Sequence, residues 1–431
     1  MDVNRSFSES GTQEIPDQWW LAFADEQLNL MIESALDSNF NLEVAWQRIK
    51  VARAIVDRES SFLLPDLEGS VQGEVSQPQR AFENFQQNRS LQVGLSSAYE
   101  LDLWGRIRAN VQAEKFRAEA SQLDYQAASI SLSAEIALTW YQVIEANNQL
   151  QLIDKQIATN QQVLDLIENR FGTGQVRSVD FLRQKQLIES TREQRTYVAS
   201  RLETQKHRLA VLLGRSPIPA IEFAVDSLPK LPAMPETGDP MQLIHRRPDV
   251  QSAYNVLAAA DKELAAAIVN QYPRVSFSLS ASTAANDTDL LFRDWAYSLG
   301  ANLLAPVFYG GELRAEVDRS EAFKKQRLFE YGQTILIAFQ EVEDALIQEE
   351  NQKESIQLID SQIEIARQTY EQLRIEYFNG ISNYLDVLTA LDTLQQLRRD
   401  ALSARLILLQ YRIALYRALA GRISTPREVG S

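Results

Sequence analysis

QLIDKQI at 151–157 and QLIDSQI at 357–363 differ at one position and stand 206 residues apart. The echo runs well beyond these words. Leu150, Ile153, Ile157, Asn160, Leu164, Ile167 and Phe171 follow one another in steps of three and four. The same steps at the same offset pick out Ile356, Ile359, Ile363, Ala366, Tyr370, Leu373 and Tyr377. Such steps keep returning to one side of a helix and make a heptad seam that faces a partner helix. In the first copy the heptads continue upstream through Ile136 and Val143.

The offset also lays Gly105-Arg106 over Gly311-Glu312, and FGTGQVRSVDFL (171–182) over YFNGISNYLDVL (377–388). Further on, LLGR (212–215) meets ALAGR (418–422) with a shift of one. The chain is therefore a tandem duplication. Its units, about 200 residues each, are too long for a solenoid repeat and read as two halves of one fold.

The helices are long. No Gly or Pro occurs between Arg106 and Phe171, a span of roughly 100 Å at the α-helical rise. The second copy, 312–378, carries only Gly332. A turn follows each (Gly172-Thr173-Gly174 and Asn379-Gly380), then a return run free of Gly and Pro over 175–213 and 381–420. Glycine after a helix supplies the left-handed conformation that ends it. Each outgoing helix exceeds its return helix, so it should either break or pair with another segment. The helical stretches near 26–63 and 249–271 are the candidates.

Before each long helix the period changes to two. Leu67, Gly69, Val71, Gly73 and Val75 alternate with Glu68, Ser70, Gln72, Glu74 and Ser76. Over 90–101, Leu91, Val93, Leu95, Tyr99 and Leu101 oppose Ser90, Gln92, Ser96 and Glu100. Over 275–282, Val275, Phe277, Leu279 and Ala281 oppose four serines, and over 295–303, Trp295, Tyr297, Leu299, Ala301 and Leu303 oppose Ser298 and Asn302. This pattern suits a half-buried strand of a soluble sheet or a strand of a transmembrane barrel. The Ser-, Gln- and Gly-rich opposite faces suit a wet lumen, and no further strands are expected to form a second sheet. Four strands cannot close a barrel, and an open sheet in hydrocarbon would leave backbone groups unsatisfied. Strands that span a membrane therefore require several chains around one barrel.

The bulk numbers narrow the function. The chain has 431 residues, 45 % apolar and 23 % charged, which is a folding composition too long for one ordinary core. A net charge of −15 argues against nucleic acid, which needs a basic face. Cysteine is absent, which excludes a zinc–thiolate site, a thiol nucleophile and a disulfide. No apolar run is long enough for a transmembrane helix. The N-terminus, MDVNRSFSESGTQEIPDQWW, is polar and does not read as a signal peptide. An exported form would have lost its leader beforehand, and a lipid-bearing cysteine could have gone with it.

ELDLWGRIRA (100–109), HRRPDV (245–250), APVFYGGELRA (305–315), AFQEVEDAL (338–346) and the two tip motifs stand in this order on a duplicated frame. Together they resemble the TolC-like outer-membrane channels of tripartite efflux and secretion systems, in the OprM-like branch, over nearly the whole chain. The resemblance implies a mainly α fold with a small β part. Three chains would share a 12-stranded β-barrel continuous with a 12-helix α-barrel that extends from a Gram-negative outer membrane into the periplasm. It implies a first repeat over 1–220, with strands near 67–77 and 90–103 and a tip at 171–180. A linker follows over 221–248, then a second repeat over 249–431 with strands near 274–283 and 295–306 and a tip at 377–386. The implied function is passive export of drugs and other small toxic compounds with a periplasmic adaptor and an inner-membrane pump, and multidrug resistance as its consequence. The same duct in type I protein secretion, and a soluble coiled-coil scaffold, are the alternatives.

No catalytic residue, metal site or cofactor is expected. The only histidines, His207 and His245, lie on different segments, and no phosphate-binding loop with a lysine is present. Function should sit at the tips. Asp386 holds the position from which the family projects an acidic ring into its periplasmic aperture, with Leu385 as an apolar neighbour; the alternative for Asp386 is a helix N-cap. Tyr377 and Asp180 match a tyrosine–aspartate pair that holds the closed state, although Tyr377 also fits plain seam packing. Ser382 and Thr389 stand where some members carry an arginine and a second aspartate. Gly174, Gln175, Val176, Gly380, Ile381 and Ser382 are the expected adaptor-docking tips, though the glycines also end helices. The loops 78–89 and 284–294 are expected at the exterior, and Trp295, Tyr297 and Tyr99 near membrane interfaces.

Overall fold

Two features of the sequence organise the chain: alternation that changes to heptads, and the repetition of that change. The computed structural model describes residues 6–14, 16–76, 88–217, 227–423 and 425. In order these form α1 (Glu26–Ser38), α2 (Phe40–Ser61), β1 (Glu68–Ser76), β2 (Asn88–Leu101), α3 (Arg106–Gly172), α4 (Ser178–Leu212), α5 (Pro240–Arg246), α6 (Pro248–Val269), β3 (Arg274–Ala285), β4 (Ala296–Leu304), α7 (Glu312–Phe378) and α8 (Tyr384–Leu419). The fold is mainly helical with one small sheet. Most of the loop expected at 78–89, and part of the linker expected at 221–248, lie outside the described residues.

The repeats do not coincide with the compact units. One unit is made of residues up to Val44, Tyr125–Pro248 and Ile335 onward; the other holds Ala45–Asp124 and Asp249–Thr334. Each repeat supplies part of both, because α3 and α7 each enter both units as unbroken helices of 67 residues.

In the sheet-bearing unit the four strands run β1-β2-β3-β4, all antiparallel. Register keeps odd-numbered residues on one face throughout: Gly69, Leu95, Ala281 and Tyr297 form one row, and Leu101, Val275 and Leu303 another. Glu68, Ser96, Ser280 and Ser298 form a row of the other face. A one-residue slip would mix the faces, so the alternation itself holds the register. The apolar face is open, with Val71 at 72 % and Leu299 at 80 % exposure. Among the described residues nothing pairs with the outer edges of β1 and β4. In the same unit α6 supplies the pairing that the long helices require. Arg117 on α3 bridges to Glu263, Ser252 donates to Asp124 at 2.6 Å, and Lys324 on α7 reaches Asp261 at 2.6 Å. Neither long helix breaks. Among the described residues no helix is long and apolar enough to cross a membrane.

The helical unit has an aromatic centre. Trp19, Trp20, Trp140, Tyr141 and Tyr416 are almost fully buried. Trp19 stacks on Tyr416 at 5.9 Å and donates to the Ser133 hydroxyl at 3.0 Å. Asp25 caps α1 by accepting from the Leu28 amide and accepts from the Trp140 indole at 2.7 Å. The N-terminal segment is thereby pinned against α3 and α8.

Candidate functional site

The two tips are built alike. Gly174 and Gly380 adopt φ of +74° and +76°, and a Cβ at either would meet nothing within 4 Å. Gln175 donates its amide to the Arg170 carbonyl, and Ile381 donates its amide to Glu376, as in a helix C-terminus closed by a left-handed residue. Gly174, Gln175, Gly380 and Ile381 face outward, Ile381 with 74 % exposure. Val176 and Ser382 do not. Val176 packs into an apolar cluster with Ile167, Tyr384 and Val387, and Ser382 donates back to the Leu373 carbonyl at 3.2 Å.

Tyr377 packs against the same cluster, with its ring 5.5 Å from that of Tyr384. Asp180 is buried, but its carboxylate accepts from Arg177 at 3.2 Å and lies 3.7 Å from Arg183. The two residues therefore make no hydrogen bond with each other inside the chain. Tyr377 instead sits beneath Arg170, whose guanidinium lies 6.0 Å from its ring centroid and 4.7 Å from that of Phe378. Burial pushes the Tyr377 phenol above its usual value, and Arg170 opposes that shift.

Asp386 is not the N-cap. Asn383 occupies that position, which leaves Asp386 exposed in the first turn of α8. It shares with Leu385 a groove of about 680 Å³ between α7 and α8, floored by Ala366 and Ala390 and walled by Ile365, Leu373 and Leu397. Negative charge in the first turn also suits the positive end of the helix dipole.

The part that sequence reasoning missed is a polar seam deep in the helical unit. Asn160 of α3 and Gln395 of α8 exchange side-chain amide bonds at 3.3 and 2.8 Å, both residues being buried. Gln184 of α4 donates to the Asn160 carbonyl at 2.7 Å and accepts from the Tyr384 hydroxyl at 2.5 Å. Gln156 and Gln149 donate to the α8 carbonyls of Gln395 and Arg399 at 3.0 and 2.8 Å. Arg399 donates to Gln156 at 2.6 Å. Burial holds the Arg399 guanidinium below its usual value. The available signal was Asn160 itself, a polar residue at a seam position, which in coiled coils specifies register.

This seam leaves the two outgoing helices in different surroundings. α3 lies against both α4 and α8, so Ile153, Asn160 and Ile167 are buried. Their equivalents on α7, Ile359, Ala366 and Leu373, are only half-buried; Ala366 lines the open α7/α8 groove, and Leu373 both lines that groove and packs on the tip cluster around Ile167. Leu358, Ile365 and Ile375 remain more than half exposed.

On the sheet, Trp295 stacks on Tyr297 at 6.4 Å and lies tilted against Phe292 at 6.2 Å beside the β3–β4 connection. Tyr99 pairs with Phe277, four residues along from the row of Tyr297, or roughly 14 Å nearer the helical ends of the strands. His207 is on α4 and His245 on α5. Among the described residues no group of three or more His, Asp or Glu could hold a metal ion.

Comparison with known proteins agrees with this architecture. The chain is 30 % identical over 421 residues to the pyoverdine export outer membrane protein OpmQ of Pseudomonas aeruginosa, covering 95 % of this chain and 88 % of that protein. It is 30 % identical to the toluene efflux pump outer membrane protein TtgI of Pseudomonas putida, covering 93 % and 86 % respectively. The solved outer-membrane channel OprN superposes with a TM-score of 0.89 at 26 % identity, over 98 % of each chain. The family model described as outer membrane efflux protein matches residues 31–215 and 240–421, one segment in each half. The chain belongs to the outer membrane efflux protein family, the TolC-like channels.

Proposed function

We propose that three copies of this chain form the exit duct of a tripartite efflux system in a Gram-negative outer membrane. The duct passively conducts drugs and other small toxic compounds handed over by a periplasmic adaptor and an inner-membrane pump. The sheet carries this reading. Four strands with one open apolar face and two unpaired edges cannot stand alone in lipid, and three such sheets give the twelve strands of a closed barrel. Trp295, Tyr297 and Tyr99 would meet the interfaces of the bilayer.

The helical half supports the same assembly. The exposed apolar positions of α7 require a neighbour that the chain does not supply. Asp386 would then recur three times around the periplasmic aperture and favour cations over anions, with Leu385 as an apolar constriction. Tyr377, Asp180 and their arginines would set how the tips pack when the aperture is closed. Gly174, Gln175, Gly380 and Ile381 would receive the adaptor, since small and outward residues admit another backbone. The relatives' names speak of pyoverdine, toluene and cations, which fits a duct whose passenger is chosen by its partners.

The test is the mass of detergent-extracted protein, corrected for bound detergent, followed by conductance in planar bilayers. A trimer that precipitates without detergent and conducts ions is the expected result. A monodisperse water-soluble monomer would remove the duct and leave a soluble scaffold.

A further inference from the structure

The apolar face of the sheet is open along most of its length and closed at one point. Odd-numbered residues form that face, and on it Val71, Leu279 and Leu299 are 72, 56 and 80 % exposed. Thr283 belongs to the same face, opposite Val93 in the register, yet it is 2 % exposed. Ala284, one residue on and turned to the polar face, is exposed. The β3–β4 connection reaches Thr283: the Phe292 amide donates to its hydroxyl at 3.2 Å. Because the Thr283 side chain stands on the apolar face, a segment that meets it lies over the apolar wall and not over the space that the polar face lines.

The contact holds the connection in a costly shape. Phe292 has φ of +73°, and among the described residues Ala24 is the one other non-glycine residue in the left-handed region. A bulky side chain rarely adopts this conformation and keeps it where its surroundings over-determine it. Here the bond to Thr283 fixes the backbone, and the Trp295 ring, 6.2 Å away, flanks the side chain. The strain does not serve to bury Phe292, which is 56 % exposed. Leu290 is exposed beside it, and the aromatic row runs on through Trp295 to Tyr297, still on the apolar face. Asp287, Asp289, Arg293 and Asp294 are exposed on the same turn.

We propose that the β3–β4 connection is an anchor seated in the outer-leaflet boundary of the bilayer, with Leu290 and Phe292 as its apolar contacts and Thr283 as the residue that positions it, and that it does not lie over the mouth of the barrel. The occupant follows from continuity. The patch extends the face that meets lipid, past the end of the strands that lies away from the helices. Apolar side chains interleaved with charges suit the level where acyl chains give way to headgroups, since one set is satisfied on each side. The mouth is then left to the strands and to the other connection. The inference rests on the reading of the sheet as the wall of a membrane barrel.

Single cysteines test it, since the chain has no cysteine of its own to compete for a nitroxide label. In the reconstituted protein, labels on L290C and L299C should be relaxed more by oxygen, which concentrates in lipid, than by a water-soluble nickel chelate. A label on S298C, on the polar face, should show the reverse. T283V keeps the shape of the side chain and removes the hydroxyl. In T283V/L290C the label should shift toward the water-like pattern, while in T283V/L299C it should stay lipid-like, which separates release of the anchor from general damage to the sheet. A polyethylene glycol chain attached to L290C should leave single-channel conductance unchanged, whereas the same chain on S298C should reduce it. A water-like label at 290 beside a lipid-like label at 299, an unmoved label in T283V/L290C, or reduced conductance with the polymer at 290 would each overturn the proposal. A water-like label at 299 would instead remove the barrel reading on which it rests.

Discussion

Glu349 of α7 and Arg412 of α8 form a bidentate pair at 2.5 and 2.7 Å, with both side chains essentially excluded from solvent. Arg412 also donates to the carbonyls of Pro232 and Ala233, the latter at 2.7 Å, and so fastens the linker between the halves to the α7/α8 hairpin. Lys353 reaches the same carboxylate at 2.6 Å. The offset of 206 takes Glu349 to Val143 and Arg412 to Lys206, so the first half has no counterpart. Removing Glu349 leaves the buried Arg412 guanidinium without its counter-charge, and removing Arg412 leaves the Glu349 carboxylate with Lys353 alone. R412M or E349Q is expected to lower stability by about 3–5 kcal/mol, and the double variant R412M/E349L by less. Thermal unfolding in detergent would measure both.

The same pair predicts a direction with pH. Burial raises the Glu349 pKa, but the bonds from Arg412 and Lys353 outweigh it and hold the carboxyl below its usual value of 4.5. A carboxylate with a depressed folded pKa contributes stability that is complete above its unfolded value and is lost as pH falls through the folded one. The melting temperature should therefore drop as pH falls below about 4.5, and E349Q should show a shallower drop.

Asp386 has no ion-pair partner among the described residues and lies at the mouth of the α7/α8 groove. D386A should reduce the cation preference of the channel and lower thermal stability only slightly, by about 0.3–1 kcal/mol, since no buried contact is lost and only the charge at the helix N-terminus is removed. Reversal potentials under a salt gradient would read this. An unchanged selectivity would remove Asp386 from the aperture.

Tyr384 donates to Gln184 at 2.5 Å within the buried seam. Y384F keeps the ring and removes the hydroxyl, which strands the Gln184 carbonyl oxygen. A loss of about 1–3 kcal/mol is expected, measured by thermal unfolding beside the surface control Y197F. Tyr197 is 72 % exposed and should tolerate the change.

Ile381 stands at the second tip with 74 % exposure and no packing role in the tip cluster. I381D should leave the trimer and its conductance intact but weaken capture of the adaptor. Site-specific photocross-linking at the tip in cells would check this. Loss of the trimer instead would assign Ile381 to the assembly.

Much of the architecture is legible in the sequence because it is periodic. Heptads at a fixed offset specify two helical hairpins, and alternation specifies four two-faced strands. The outward tip glycines were legible because only a positive φ ends a helix in that way. Less legible were the contacts that join distant segments. Val176 and Ser382 read as part of the adaptor-docking tips; packing turns the first into the cluster, and a hydrogen bond to the Leu373 carbonyl turns the second onto α7. Asp180 and Tyr377 read as a pair between neighbouring helix pairs; within the chain Asp180 is held by Arg177 and Arg183, contacts that its position in the sequence did not announce.

By itself the sequence determined the duplication, the lengths of the hairpins, the two faces of the sheet and the need for company, since each follows from local period and from apolar surface that one chain cannot cover. Only the tertiary structure decided that Asn160 meets Gln395 across 235 residues while its duplicate, Ala366, faces an open groove. Hydrogen bonds between side chains depend on which helix faces which and at what height, and no heptad pattern encodes that choice when the two halves share the same repeat.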